Sequence, residues 1–213
     1  MTVTVTAVCA KNAGEEVDII FCIYGDCQEK CERVTLTVSS RQYLKLGICK
    51  GVSDTDTFDY ASHCADVWKA TKKGMMLLGY GAISKKAMKS KLISKGFESE
   101  VSAEAAEELA ILGLINDDSD ASELARRLSL KLWGKKRIIA ELYKKGYDSD
   151  AVRKAMNSLE NMGVDYSKNC RALIKKKYGR IPEDRAERQK LFAALSRYGY
   201  SSAEIKEAFS SNE

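Results

Sequence analysis

Lys91-Leu92-Ile93-Ser94-Lys95-Gly96-Phe97-Glu98-Ser99-Glu100 returns fifty residues later as Glu141-Leu142-Tyr143-Lys144-Lys145-Gly146-Tyr147-Asp148-Ser149-Asp150. The register continues through Ala105 with Ala155, Leu109 with Leu159, Leu112 with Met162, Gly113 with Gly163 and Leu114 with Val164. A third copy, Leu195-Ser196-Arg197-Tyr198-Gly199-Tyr200-Ser201-Ser202, follows at an offset of 53, with Ile205, Ala208 and Phe209 behind it. Self-similarity at a fixed period of this length is the signature of stacked helical units.

Each copy obeys one physical logic. An apolar stripe comes first: Met88, Leu92 and Ile93, then Ile138, Ile139, Leu142 and Tyr143, then Leu191, Phe192 and Leu195. These spacings mark one face of an amphipathic helix. A glycine then suits the left-handed residue that ends a helix. Ser99, Ser149 and Ser202 suit the N-cap of the next helix, which buries Val101, Ala105 and Leu109 or their equivalents. A further helix precedes each pair, at roughly 56–79, 119–133 and 167–178. Pro182, the only proline of the chain, is expected in the first turn of the helix that runs to Tyr198.

The first fifty residues read differently. Residues 2–8 alternate Thr and Val, residues 17–24 are β-branched and aromatic up to Tyr24-Gly25-Asp26, and residues 33–38 alternate again. Three short strands form an antiparallel meander with little core of its own. Ser39 or Ser40 then caps a short helix ending at Gly47. The fold class is therefore mainly α: tandem three-helix repeats in an elongated array, preceded by a small antiparallel β-rich N-terminal module. The expected parts are 1–52 (β-rich), 53–116, 117–165 and 166–213 (three-helix repeats).

The chain has 213 residues, 45% hydrophobic and 31% charged, which excludes global disorder. Residues 1–66 carry 6 Lys and Arg against 10 Asp and Glu, whereas residues 67–213 carry 29 against 20. A basic body under an acidic-leaning head points the body toward a polyanion or an acidic protein surface. Its start lacks the pattern of a secretory signal, no run reaches the length of a membrane helix, and seven cysteines read as reduced thiols. A cytoplasmic location is expected.

Basic residues cluster at Lys131, Lys135, Lys136 and Arg137, then Lys144 and Lys145. A second cluster holds Lys175, Lys176, Lys177 and Arg180, then Arg185, Arg188 and Lys190. Tyr143, Tyr147, Tyr178 and Tyr198 interleave with them. Cations neutralise phosphates and aromatics stack on exposed bases, so these residues are the candidate contact surface. The competing reading is a solvated helix face with the tyrosines in the core.

Catalytic and metal signals are thin. Cys22, Cys27 and Cys31, with His63-Cys64 further on, lack the tight pairs of a zinc site. His63 is the only histidine, and neither phosphate-binding glycine motif is present. Cys170 sits on a basic helix, a setting that lowers a thiol pKa, but has no histidine near it in sequence. No catalytic residue, metal or cofactor is expected, and the chain reads as a non-enzyme.

The repeated Leu-x-x-Lys-Gly-aromatic step (Leu92 to Phe97, Leu142 to Tyr147), Leu112-Gly113-Leu114-Ile115-Asn116-Asp117, and Gly134-Lys135-Lys136-Arg137-Ile138-Ile139-Ala140-Glu141-Leu142 resemble the RecX regulatory proteins of bacteria. The resemblance runs from about residue 70 to the end, and the β-rich start is similar to that of Gram-positive members. Ala87-Met88 stand where the family usually has an acidic residue. The resemblance implies a non-enzymatic modulator of the RecA recombinase that lies along the RecA–single-stranded-DNA filament and usually inhibits it. Two other readings stay open: a RecA-independent nucleic-acid binder of helix-turn-helix type, and a protein-interaction scaffold. Three equivalent copies disfavour a single recognition helix, and the salt dependence of DNA binding separates the rest.

Overall fold

Apolar alternation at the N-terminus produces four antiparallel strands: β1 (Thr2–Lys11), β2 (Glu16–Tyr24), β3 (Cys31–Ser39) and β4 (Gly51–Ser53), in the order β3-β2-β1-β4. The computed structural model describes residues 2–25 and 31–210, so Asp26 and Cys27 lie outside the described residues. β4 corrects the three-strand expectation. It is a three-residue edge paired with Val3–Val5, too short to show a period in sequence. One face of the sheet buries Val3, Val5, Val17, Ile19, Phe21 and Val38.

The ten α-helices among the described residues follow, α1 (Ser40–Leu46), α2 (Thr55–Leu78), α3 (Lys85–Ser94), α4 (Ser99–Ile111), α5 (Asp117–Leu130), α6 (Lys135–Lys144), α7 (Ser149–Asn161), α8 (Tyr166–Tyr178), α9 (Arg185–Arg197) and α10 (Ser202–Ser210). The chain is mainly helical behind a small antiparallel sheet. Its described residues gather into two compact units, one of residues 1–81 and 88–114 and the other of residues 82–87 and 115–213.

In the first unit the sheet closes its core with Ala61 and Cys64 of α2, and Phe58 meets Phe21 edge-on at 5.1 Å between ring centroids. Glu16, almost fully buried, accepts from Trp68 Nε1 (2.8 Å) and Lys72 Nζ (2.6 Å), which ties α2 to the sheet. Asp18 accepts from Thr37 Oγ1 (2.7 Å) and pairs with Lys11. α4 packs on α2 with Leu109 against Gly74, where a Cβ would lie 2.5 Å from Leu109 Cδ1.

In the second unit α5–α7 and α8–α10 share one core that includes Ile138, Leu142, Tyr147, Leu159, Leu195, Tyr200 and Ile205. A recurring joint holds it. The start of α6 lies on the glycine turn after α9: Gly134 N–H donates to Tyr198 O (2.9 Å) and Lys136 N–H to Gly199 O (3.1 Å). The backbones are so close that a Cβ on Gly134 would fall 2.3 Å from the Gly199 carbonyl carbon. The start of α3 makes the same joint one repeat earlier, with Ser84 Oγ donating to Lys145 O (2.7 Å) beside Gly146.

Several expectations shift by a residue or more. The caps of α7 and α10 are Asp148 and Ser201, and Ser149 and Ser202 are the first helical residues. Glu98 occupies the N-cap of α4 without a side-chain bond, so Ser99 is likewise inside the helix. Pro182 lies outside α9, whose cap is Asp184 accepting from Glu187 N–H (2.9 Å). The helix expected at 119–133 ends at Leu130. Ile93, Leu112, Tyr143 and Met162 are exposed, so the apolar stripes are narrower than their spacing suggested.

Candidate nucleic-acid interface

The end of α5 prepares the site. Lys131 caps the helix, and Leu132 takes a left-handed φ of 59° while donating to Ser129 O (2.8 Å). Trp133 N–H reaches back to Leu128 O (3.2 Å), completing a Schellman-type ending. Leucine in this conformation costs about 1–2 kcal/mol. The arrangement is held by Tyr200, whose buried hydroxyl donates to Leu132 O at 2.8 Å. The strain carries Trp133 to the first turn of α6.

There the Arg137 guanidinium stacks over the Trp133 ring at 3.8 Å and lies 5.2 Å from the centre of the Tyr198 ring. Lys177, in the last turn of α8, sits 4.9 Å from the same tyrosine ring and hydrogen-bonds its hydroxyl. That hydrogen bond lowers the Tyr198 pKa and raises the lysine's. Two cations and two aromatic faces, drawn from α6, α8, the end of α9 and the α5–α6 link, thus converge. The ring faces offset part of the like-charge repulsion, and an incoming anion would offset more. Both rings are partly buried against the core and carry these cations on their faces, so the cluster offers a nucleic acid fixed positive charge backed by aromatic rings.

The other candidates are dispersed. Lys131, Lys136, Lys144, Lys145, Lys175, Lys176, Arg180, Arg185 and Arg188 are exposed. Lys135 is half-buried and ion-paired with Glu160 (2.7 Å), so its charge is already offset. Arg185 and Arg188 line a separate cleft with Phe192 and Phe209, the Arg188 guanidinium 5.5 Å from the Phe209 ring. Lys175 and Arg180 line another with Arg171. Tyr147 is removed from the stacking candidates because it is 5% exposed and belongs to the core. Cys170 is fully buried and its thiol is pushed up to about 11 by that burial, which corrects the activated-thiol idea.

Sequence reasoning passed over Trp133 and Arg171. Trp133 was recognisable as a large aromatic flanking the basic run at Gly134. Arg171 was recognisable as one turn before Lys175 on α8. Among the described residues no group of His, Cys, Asp and Glu could hold a metal ion, and no helix is long and apolar enough to cross a membrane. Cys9, Cys22, Cys31, Cys49, Cys64 and Cys170 are free thiols.

Residues 165–209, which span α8 to α10, match the family model of the RecX third three-helix domain. The regulatory protein RecX of Stenotrophomonas maltophilia strain R551-3 is 32% identical over 126 residues, covering 59% of this chain and 76% of that protein. The regulatory protein RecX of Xanthomonas campestris pv. campestris strain B100 is 36% identical over 124 residues, covering 58% and 75%. A crystal structure of a regulatory protein RecX superposes over 97% of this chain and 98% of its own, with a TM-score of 0.72 at 19% identity. The RecX structure from Lactobacillus salivarius covers 68% and 95%, with a TM-score of 0.56 at 23% identity. These two structures share the fold, and the sequence relatives carry the kinship: the chain belongs to the RecX family of regulatory proteins.

Proposed function

We propose that this RecX-family chain is a non-catalytic regulator that binds the RecA–single-stranded-DNA filament in the cytoplasm and inhibits RecA's filament growth and ATP turnover. In this reading the chain is organised as a β-rich module (1–52) and three helical repeats (53–116, 117–165 and 166–213), with the basic helices as the contact surface. The observation that carries it is the Arg137–Trp133–Tyr198–Lys177 cluster, which fixes positive charge on aromatic rings in a chain whose relatives are regulatory proteins. Charge on Lys131, Lys136, Lys144, Lys145, Lys176, Arg185 and Arg188 extends the attraction, and every phosphate neutralised releases counterions.

The test is RecA's single-stranded-DNA-dependent ATPase, measured with this protein well below one copy per RecA. Inhibition is expected, and the Arg137→Gln/Lys177→Gln variant is expected to lose most of it while melting like the wild type. Absence of inhibition beside salt-sensitive DNA binding would replace this reading with a RecA-independent DNA-binding role. Inhibition that survives the double variant would remove the cluster from the contact surface.

A further inference from the structure

On α8, Arg171 and Lys175 are four residues apart and share a flank, whereas Lys177, two residues on from Lys175, faces elsewhere. That flank opens into a cavity of about 300 Å³ which the Arg137 cluster does not share. Arg171, Lys175 and Arg180 rim it, and Ile174, Ile181 and Ala208 supply its apolar wall. No carboxylate lines it, and no ion pair holds any of the three cations among the described residues. Glu207 of α10 is engaged by Ser167 Oγ at 2.6 Å.

Arg171 adds an independent sign. Its Nε is buried and has no hydrogen-bond partner. An unsatisfied buried donor costs about 1–3 kcal/mol, more when charged, and Arg171 spends none of its guanidinium on a partner within the chain at that atom. Guanidinium nitrogens present a planar fork that matches phosphate oxygens. The carboxyl end of α8 contributes roughly half a negative charge through its dipole. Three full positive charges outweigh it.

We infer that the Arg171–Lys175–Arg180 cleft is a phosphate-binding subsite that takes a backbone phosphodiester of single-stranded nucleic acid, with Ile174 and Ile181 against the adjoining sugar. It rests on the proposed filament-binding role for its biological setting, but its chemistry stands apart from that role. Arg171 supplies a partly buried guanidinium at the wall, and Lys175 and Arg180 supply the mobile charge at the mouth.

The experiment is fluorescence anisotropy of a labelled oligo(dT) titrated with full-length protein at several salt concentrations. Wild type, Arg171→Gln/Arg180→Gln and Arg137→Gln/Lys177→Gln are compared, each first shown to melt normally. The cleft variant is expected to bind about tenfold more weakly. Its salt slope is expected to be smaller by about 0.7 for each phosphate that it no longer neutralises. Inorganic phosphate at millimolar concentration, followed by thermal shift, distinguishes a free-phosphate site: protection of wild type alone, with DNA affinity unchanged in the cleft variant, overturns the nucleic-acid assignment. Unchanged affinity and slope without phosphate protection overturn the subsite altogether. A cleft variant that keeps DNA affinity but loses inhibition of RecA overturns it in favour of a protein partner's carboxylates. A wild type that leaves RecA unaffected while the cleft variant loses DNA affinity overturns the filament role and leaves the subsite standing.

Discussion

Replacing Gly199 by alanine tests the joint on which the interface is assembled. Two costs can be read from the structure. Gly199 has a φ of 93°, where a side chain costs about 1–2 kcal/mol. The new Cβ would also lie 2.4 Å from Arg137 N, 2.5 Å from Arg137 Cβ and 2.9 Å from Gly134 O. Most of those atoms are backbone and cannot swing away, so the α6 terminus must retreat. Retreat removes the bonds from Gly134 N–H and Lys136 N–H, each worth about 1 kcal/mol net. The sum is a destabilisation of about 3–4 kcal/mol.

Gly163→Ala is the matched control in the same unit, because Gly163 has a φ of 71° but nothing within 4 Å of its would-be Cβ. Only the conformational cost of about 1–2 kcal/mol applies there. Urea unfolding followed by Trp133 fluorescence, in a Trp68→Phe background that silences the other tryptophan, reports the second unit. With a urea m-value of about 1–3 kcal/mol/M, the extra cost of about 2 kcal/mol should set the midpoint of Gly199→Ala about 0.7–2 M below that of Gly163→Ala. Equal midpoints would show that the joint yields freely and refute the close-approach argument.

Tyr200→Phe should cost about 1–2 kcal/mol, since it leaves the carbonyl of strained Leu132 unpaired; the same Trp133 unfolding signal measures it, and an unchanged midpoint would mean that the hydroxyl bond holds nothing. Tyr166→Phe should be neutral or stabilising in a thermal melt, because the Tyr166 hydroxyl is buried without a partner and its pKa is pushed up to about 12 by burial. Glu16 titrates below its ordinary value of 4.5 because Lys72 bonds its carboxylate, so the unfolded chain binds the proton first as pH falls. Stability from this pair is therefore complete above about 4.5 and lost below it, and thermal melts between pH 7 and 3 should show a shallower acid decline for Glu16→Gln than for wild type.

Helix order and the repeat were legible because glycine and its following aromatic are local demands, imposed afresh at Gly96, Gly146 and Gly199. The exact caps were less so, since Asp148 and Ser149 are both good cap residues and only backbone geometry chooses between them. Tyrosine roles were also hidden. Tyr198 and Tyr200 flank one glycine, yet one offers its ring to two cations and the other is sealed in the core. The meeting of Arg137 with Tyr198 depends on the turn of one repeat seating the helix of another, which no window of sequence contains. Arg171 escaped notice because a lone arginine among lysines reveals nothing of its burial.

The joint also sets rules for how such a chain can lengthen by duplication. Each helix start that seats on a following turn is small at its first position, Ser84 or Gly134. In the last repeat the residue in register with Gly134 is Glu187, inside α9, whose cap Asp184 is spent on its own helix, and α9 is 13 residues long against 10 in α3 and α6. A copy of the middle segment inserted between its neighbours would meet compatible partners on both sides. The last repeat lacks that compatibility, because Glu187 and the extra turn of α9 stand where Ser84 and Gly134 seat in the earlier two.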